Sequence, residues 1–598
     1  MRRETWTETV DRAGLFLIEL SQGKLDHKTY KRIREFMLGM KAMPSMRLLA
    51  MAGKAAKRNH ISIYNCSYVA IDSIDSFVET LIISMSGCGV GFSVESEWVE
   101  RLPIVARIRD KVSMYKVQDS SEGWANALRY GLETWYHGDD VMFDFSKLRP
   151  AGSILKIKGG RASGSYALKR CLDFCRDIIR NASGRKLKPI ECHDMMCAIG
   201  DCAVSGGVRR TAMISLFDWN DNEMRNAKKG NFPSIRWNAN NSIVWPDNIT
   251  IDQFVEQFLE MHKSYNGEPG IFNRVAAYHT MPTRRKKYPF GCNPCAEVYL
   301  RHMQFCNLSI AIARQDDTFD SLAEKVEIAT IIGTIQSMAT DFNGLRPEWK
   351  KNCEEERLLG VDITGQMDCQ IVQKPNILTD LKTIAINANR KYSKMLGINP
   401  SAAITCAKPS GNSSVLFDCS PGIHARWAEY YIRNVRLSAT SPLFRVLKEC
   451  NVPMNPENGQ VQENATTWVI PFPCKSPSNA ITRKNRTALE QCEYWLKVKM
   501  HYTEHNPSCT ITYKQDELID LMQWVWNHKS VVSGMSFLPD SDAQYDQMPY
   551  IEITKKEYEK LNAEFPEIDF SLLEKFEKED RTESTMELAC TANGCELI

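Results

Sequence analysis

No stretch of this 598-residue chain approaches the roughly twenty consecutive apolar residues that a membrane helix needs. The opening Met1-Arg-Arg-Glu-Thr-Trp6 runs into an amphipathic segment and lacks the apolar core of a secretory signal. Neither sign of charge dominates: 75 basic and 73 acidic residues leave a formal net charge of +2. That balance gives no electrostatic case for nucleic acid or for a membrane surface as partner. Internal repeats and low-complexity tracts are missing as well. With 43% hydrophobic and 25% charged residues, the composition is that of an ordinary globular protein, and without a secretory signal or membrane stretch the chain is expected to be cytoplasmic. Its length admits several domains or one large, elaborated barrel.

Cysteine, by contrast, is plentiful at 20 residues, but the thiols are scattered and show no disulfide-framework rhythm. Cys171/Cys175 and Cys192-His193…Cys197…Cys202 lack the paired Cys-x-x-Cys knuckles of structural zinc, so they read as buried thiols and no metal site is expected. Two places differ. Cys590 and Cys595 lie five apart on a polar C-terminal tail, and an exposed thiol pair without a purpose is a liability. Upstream, Asn293-Pro-Cys295-Ala-Glu297 sets an amide, a thiol and a carboxylate at alternate positions, with Cys306 eleven residues beyond Cys295. If extended, the three side chains face one pocket; the bland alternative is a buried cysteine between two exposed polar neighbours. A dithiol arm plus an internal thiol–carboxylate cluster implies an enzyme that consumes two electrons per turnover and must be re-reduced.

Along the chain, helical periodicity from about residue 5 to 40 and the segment Pro44-Ser-Met-Arg47 make up an N-terminal region, 1–55. A buried strand near 62–71, a helix near 74–85 and the turn Gly87-Cys-Gly-Val-Gly-Phe92 begin an α/β body over 56–95. Residues 96–147, with a helix around 122–135, read as an insertion or accessory layer. From 148 to 550 strands and helices alternate, the α/β pattern. A charged helical segment, 551–580, precedes a polar tail, 581–598, expected to be disordered apart from its thiols.

Gly291-Cys-Asn-Pro-Cys-Ala-Glu-Val-Tyr-Leu300 followed by Phe305-Cys-Asn-Leu-Ser309 resembles the radical-cysteine region of ribonucleotide reductases. In the family's order, Pro44-Ser-Met-Arg47 resembles its substrate-binding segment, Tyr64-Asn-Cys66-Ser67 the first half of its redox thiol pair, and Lys408-Pro-Ser-Gly-Asn-Ser-Ser414 its phosphate loop. Phe143–Pro150, Gly267–Asn273, Ser420–His424, Glu504–Ser508 and Val531–Pro539 resemble the adenosylcobalamin-dependent, class II branch, most like the monomeric ribonucleoside-triphosphate reductases. The likeness spans nearly the whole chain, although the chain is shorter than typical members and has no obvious N-terminal ATP-binding regulatory domain.

The resemblance implies a ten-stranded α/β barrel of two half-barrels with Cys295 on a central loop. Cys295 would become a thiyl radical and take the ribose 3′-hydrogen. Glu297 would act as base on the 3′-hydroxyl, and Asn293 would orient the sugar. Cys66 and Cys306 would supply two electrons and end as a disulfide, which Cys590 and Cys595 would relay to thioredoxin. Ser45, Arg47, Ser67, Pro409, Ser410, Gly411, Asn412, Ser413 and Ser414 would bind substrate, the serine- and glycine-rich run offering hydroxyls and open N–H groups to phosphates. Lys158, Gly160, Ser163, Gly164, Arg209 and Arg210 resemble the loops through which a deoxynucleotide effector sets substrate choice. Adenosylcobalamin is implied as cofactor, with His505, Asn506, Ser508, Gly534 and Ser536 as its contacts. The chain has no Asp-x-His-x-x-Gly cobalamin motif, and this branch binds the cofactor without a protein histidine on cobalt. The expected substrate is a ribonucleoside triphosphate, and the expected assembly a monomer or homodimer. Alternatives are a diphosphate substrate, a radical supplied by a partner subunit, a non-catalytic nucleotide-binding regulator, or a thiol–disulfide oxidoreductase acting on proteins.

Overall fold

A computed structural model describes residues 4–151, 153, 164–203, 211–439, 441–540 and 546–576, together with the strand backbones of Cys590–Thr591 and Gly594–Cys595. Its centre is a closed barrel. Five parallel strands come first, in spatial order Cys66–Ala70, Gly89–Ser93, Met213–Asp218, Ala239–Val244 and Gly270–Phe272. The last of these pairs antiparallel with Gly534–Pro539, which runs parallel to Thr510–Tyr513. Parallel bridges Ala407↔Pro507 and Val361↔Thr405 carry the ladder on to Gly360–Thr364, which pairs in parallel with Leu308–Ile312. The same chain segment, as Gln304–Cys306, closes the ring by pairing antiparallel with Cys66–Ala70. Two half-barrels of five strands, opposed in direction, are the ten-stranded barrel expected from the resemblance.

Side-chain alternation explains how this barrel is filled. On Met213–Asp218, Ile214 and Leu216 point inward, while Met213 and Phe217 join the outer core beneath the helices. Tyr68, Val244, Phe272, Cys306, Leu308 and Cys406 complete the inner cluster. Outside, helix Phe319–Gln336 carries its charges in the first half and is buried all round from Ile328 onward. The N-terminal cap is two helices, Trp6–Leu20 and His27–Leu38; the first is started by a reciprocal Thr5/Glu8 capping box. Within 96–147, helix Ser121–Tyr136 packs under a two-stranded parallel sheet, Val112–Lys116 with Asp140–Asp144.

One stretch of the long α/β region does not join the barrel. Tyr430–Ser438 and Thr467–Lys475 pair with each other, and with Asn455–Pro456 and Tyr550–Glu552, in a separate four-stranded antiparallel sheet. Of the C-terminal segment, Lys555–Glu564 is helical, followed by short turns of helix to Phe576. No helix among the described residues is long and apolar enough to cross a membrane.

Candidate active site

The site hangs from a hairpin inside the barrel. Gly291–Cys292 pairs antiparallel with Tyr299–Leu300, and residues 293–298 form the loop between them. The extended alternation expected for Asn293, Cys295 and Glu297 is not what joins these side chains. The segment turns instead: the Ala296 N–H donates to the Asn293 carbonyl at 2.8 Å, and Ala296 adopts a left-handed φ of 59°. Asn293 is the tie across that turn. Its Oδ1 accepts from the Val298 N–H at 3.0 Å and its Nδ2 donates to Glu297 Oε2 at 2.7 Å.

Glu297 is fully buried, and its Oε1 has no hydrogen-bond partner. An unsatisfied buried acceptor is costly, and it becomes useful when a substrate hydroxyl fills it. Burial pushes the Glu297 carboxyl above its ordinary range, opposed by the nearby Lys408 and by the Asn293 bond. Cys295, at the loop tip, is accessible. Its depth in the protein, then the charge of Glu297, hold its thiol well above the usual range. It therefore keeps its S–H, the form that can give up a hydrogen atom.

The barrel makes room for this loop with glycine. Gly89 and Gly91 face inward on their strand, and a Cβ at Gly91 would lie 1.9 Å from the Cys292 carbonyl oxygen. At Gly89 it would come within 3.3 Å of both Cys66 Sγ and Pro294 Cγ, so the Cys66 thiol sits beside the loop. We expect Gly91→Ala to unseat the hairpin and cost about 1–3 kcal/mol or more, the scale of core overpacking. Denaturant titration checks this; wild-type stability would show that the Cys292 carbonyl does not rest on Gly91.

Cys306 lies directly opposite Cys66 in the antiparallel ladder. Facing Cα atoms in such pairs are about 4.5–5.5 Å apart, within the range a disulfide spans. The two thiols, distant in sequence, thus meet on the barrel wall next to the loop. Burial, then Glu297, keeps the Cys306 thiol well above its ordinary pKa.

Opposite them stands the Lys408–Ser414 loop. Gly411 is open, with no atom placed to meet a Cβ, and no described residue accepts from its N–H or from that of Ser413. The Ser413 hydroxyl bonds to the Ser410 carbonyl and the Ser414 hydroxyl to that of Gly411, while Pro409 leads into the turn. Asn412 precedes a single helical turn, Ser413–Leu416. The other expected substrate residues are already bonded to backbone carbonyls, and Ser45 and Ser67 are buried. Ser45 donates to the Ile63 carbonyl at 2.8 Å, Arg47 to that of Gly87, and Ser67 to that of Gly89 at 3.1 Å.

Three neighbours were not picked out by the sequence reading: Asp362, Cys406 and the Lys408 side chain. Lys408 is held above its ordinary pKa because Glu297, Cys295, Cys66 and Asp362 together outweigh the effect of burial. A carboxylate in the middle of the buried strand Gly360-Val-Asp-Ile-Thr364 was the signal for Asp362.

The proposed cofactor contacts divide. His505 is buried with its Nε2 donating to the Leu359 carbonyl at 2.9 Å. Asn506 is also buried, its amide donating to the Ala296 and Gly534 carbonyls at 3.0 and 2.9 Å and accepting from Ser533. Asn506 thus ties the loop at Ala296 from behind, while His505 is anchored to the Leu359 carbonyl away from it. Gly534 packs against Ala296 and Ser508 is half-buried, its N–H bonded to Ala407, which leaves Ser536 as the exposed one.

A cavity of about 990 Å³ opens beside Pro409, Gly411 and Ser414 and runs under the separate antiparallel sheet, walled by Trp427, Tyr431 and Phe472 with Arg426 and Arg433 among its charges. Its size and its largely apolar wall, with several aromatic rings, suit a large cofactor. His424, the one histidine lining it, has both ring nitrogens engaged: Nδ1 donates to the Pro421 carbonyl at 3.1 Å and Nε2 accepts from the Thr510 N–H at 3.1 Å. His424 is therefore committed to the fold, and the aromatic rings and arginines of the wall are the groups that would hold a cofactor there.

Of the expected effector residues, Gly164 is placed, with φ 73° against Ala151; Lys158, Gly160, Ser163, Arg209 and Arg210 lie outside the described residues. In the tail, backbone pairing sets Cys590 opposite Cys595.

No protein-family model matches the chain. It is 26% identical over its whole length to the probable adenosylcobalamin-dependent ribonucleoside-triphosphate reductase of Dictyostelium discoideum, covering 83% of that protein. The adenosylcobalamin-dependent ribonucleoside-triphosphate reductases of Euglena gracilis and Levilactobacillus brevis are likewise 26% identical, over 99% and 96% of this chain and 84% and 90% of theirs. Along its whole length the chain is similar to adenosylcobalamin-dependent ribonucleoside-triphosphate reductases. A crystal structure of a B-12 dependent, class II ribonucleotide reductase shares its fold, with a TM-score of 0.83 over 97% of this chain and 94% of that one at 21% identity.

Proposed function

We propose that the chain reduces ribonucleoside triphosphates to 2′-deoxyribonucleoside triphosphates, with adenosylcobalamin as cofactor and a dithiol as reductant. The observation that carries this is the loop of Asn293, Cys295 and Glu297 set beside a Cys66–Cys306 pair in register. The whole-length likeness to reductases of this name supports it.

The cavity beside the phosphate loop is the seat for the cofactor, held by Trp427, Tyr431 and Phe472 and by the arginines around them. Adenosylcobalamin, when bound, supplies the radical that removes the hydrogen atom of the Cys295 thiol. Cys295 then takes the 3′-hydrogen of the ribose, while the free Oε1 of Glu297 accepts the proton of the 3′-hydroxyl. Asn293 fixes that carboxylate and donates to the sugar. The 2′-hydroxyl leaves as water, and Cys66 and Cys306 provide the two electrons and two protons, becoming a disulfide. Cys295 returns its hydrogen to the 3′-carbon and Glu297 its proton to the 3′-oxygen, which leaves the base free and Cys295 as the thiyl that began the cycle. Substrate deuterated at the 3′-position should turn over more slowly than the unlabelled nucleotide, in competition between the two. An isotope effect of unity under single-turnover conditions would remove Cys295 from that step.

The new disulfide lies inside the barrel, where a folded protein reductant has no access. Cys590 and Cys595 relieve it by thiol–disulfide exchange and are reduced in turn by thioredoxin. Cys590→Ser with Cys595→Ser is expected to stop multiple turnover with thioredoxin and to spare it with a small dithiol. Equal loss with both reductants would argue against the shuttle.

A further inference from the structure

Asp362 has no part in the chemistry described above, yet it lies at the middle of the site. It follows Gly360 by two residues on its strand and so faces the same way, into the barrel, where Gly360 packs against Cys406, Leu308 and Val298. It is fully buried. Its Oδ1 accepts from the Lys408 N–H at 2.9 Å and its Oδ2 from the Ser410 hydroxyl at 2.8 Å. Between those donors lies Pro409, which has no N–H to offer, so one carboxylate grips the turn on both sides of the proline. Ser410 sits at φ 51°, a conformation that L-residues rarely adopt. The bond from its hydroxyl holds it there, and the next residue, Gly411, is left with its N–H open.

We propose that Asp362 is a positioning residue for the substrate's phosphate groups, holding the Lys408–Ser410 turn so that the free N–H groups of the loop face the nucleotide. Its role rests on the ribonucleotide reading above. A second consequence is electrical. The titratable groups around Asp362 are Lys408 on the loop, Glu297 on the hairpin, Cys406 on the neighbouring strand and Tyr502 behind it. Burial lifts the Asp362 carboxyl to about 7. An anionic phosphate arriving at the loop raises it further, so binding near neutral pH draws in a proton, and affinity falls as pH rises through that region.

The test is calorimetric titration of the full-length protein with CTP, without cofactor or reductant, across pH 6 to 8 and in buffers of different ionisation enthalpy. Wild type should take up protons on binding. Asp362→Ala should weaken CTP about tenfold or more, the scale of losing hydrogen bonds to a charged group. Asp362→Asn keeps an acceptor for the Lys408 N–H; it should bind CTP within about threefold of wild type and lose the proton uptake. In turnover, KM should rise in Asp362→Ala while kcat changes little. A merely structural role would lower melting temperature and kcat together and leave proton uptake in place in the Asn variant. Wild-type affinity in Asp362→Ala, or wild-type proton uptake in Asp362→Asn, overturns the proposal, and so does a wild-type protein that binds no CTP. A wild-type protein that binds CTP and never reduces it would sink the reductase reading and leave Asp362's role standing.

Discussion

Cys295→Ser is expected to reduce deoxynucleotide formation to background while leaving fold and nucleotide binding intact. An oxygen–hydrogen bond is much stronger than a sulfur–hydrogen bond, so serine cannot yield the hydrogen atom on which every later step depends. The change is nearly isosteric and falls at the accessible tip of the loop. Stability should therefore stay within about 0.5 kcal/mol of wild type. Residual turnover above background, in protein freed of wild-type contamination, would take the radical role from Cys295. A large fall in stability would mean instead that the thiol is a packing element.

Glu297→Gln should have the second largest effect, and it separates catalysis from stability because the two move in opposite directions. Removing the base is expected to lower kcat by about 10²–10⁴-fold, the usual worth of a placed general base. Stability should rise at alkaline pH. The Glu297 carboxyl is lifted above its ordinary 4.5 by burial, so the folded state holds its proton more tightly than the unfolded chain does. The stability gained that way is full below about 4.5 and is lost as pH climbs through the raised folded value. An amide at this position has no charge to bury. The Gln variant should therefore gain on wild type at pH 8 and lose that advantage near pH 4. Chemical denaturation at the two pH values checks this, and a variant less stable than wild type at pH 8 would mean that Glu297 is better compensated than its lone Oε1 indicates.

Much of this site was legible because its parts are local in sequence. Asn293, Cys295 and Glu297 fall within five residues and the Lys408–Ser414 run is continuous, so each could be matched as a unit to the family's motifs, which gave them weight that neither had alone. The mode of assembly was not legible. Alternation put the three side chains on one face of a strand, whereas the chain turns at Ala296 and lets Asn293 reach Glu297 directly. Tertiary pairing was carried by the family resemblance rather than by periodicity; nothing within Cys66 or Cys306 themselves announces that they face each other. Asp362 was passed over because a strand reading registers Gly-Val-Asp-Ile-Thr as buried without asking what a carboxylate does there. His505 and Asn506, expected as cofactor contacts, lie buried within the fold. Polar residues in a motif were taken to face a ligand, when these two are buried with backbone carbonyls as partners, Leu359 for His505 and Ala296 and Gly534 for Asn506. The antiparallel sheet of Tyr430–Ser438 and Thr467–Lys475, which roofs the large cavity, was hidden inside an α/β stretch because strands of either kind share one local pattern.

The central claim is ribonucleotide reduction dependent on adenosylcobalamin, and anaerobic product analysis tests it most directly. Purified protein, a small dithiol and CTP, CDP, GTP or GDP are incubated with and without the cofactor, and deoxynucleotides are quantified. The expected result is deoxynucleotide formed only with adenosylcobalamin and faster from the triphosphates. Product formed equally without the cofactor, or none with it from a folded protein that binds CTP, would contradict the assignment.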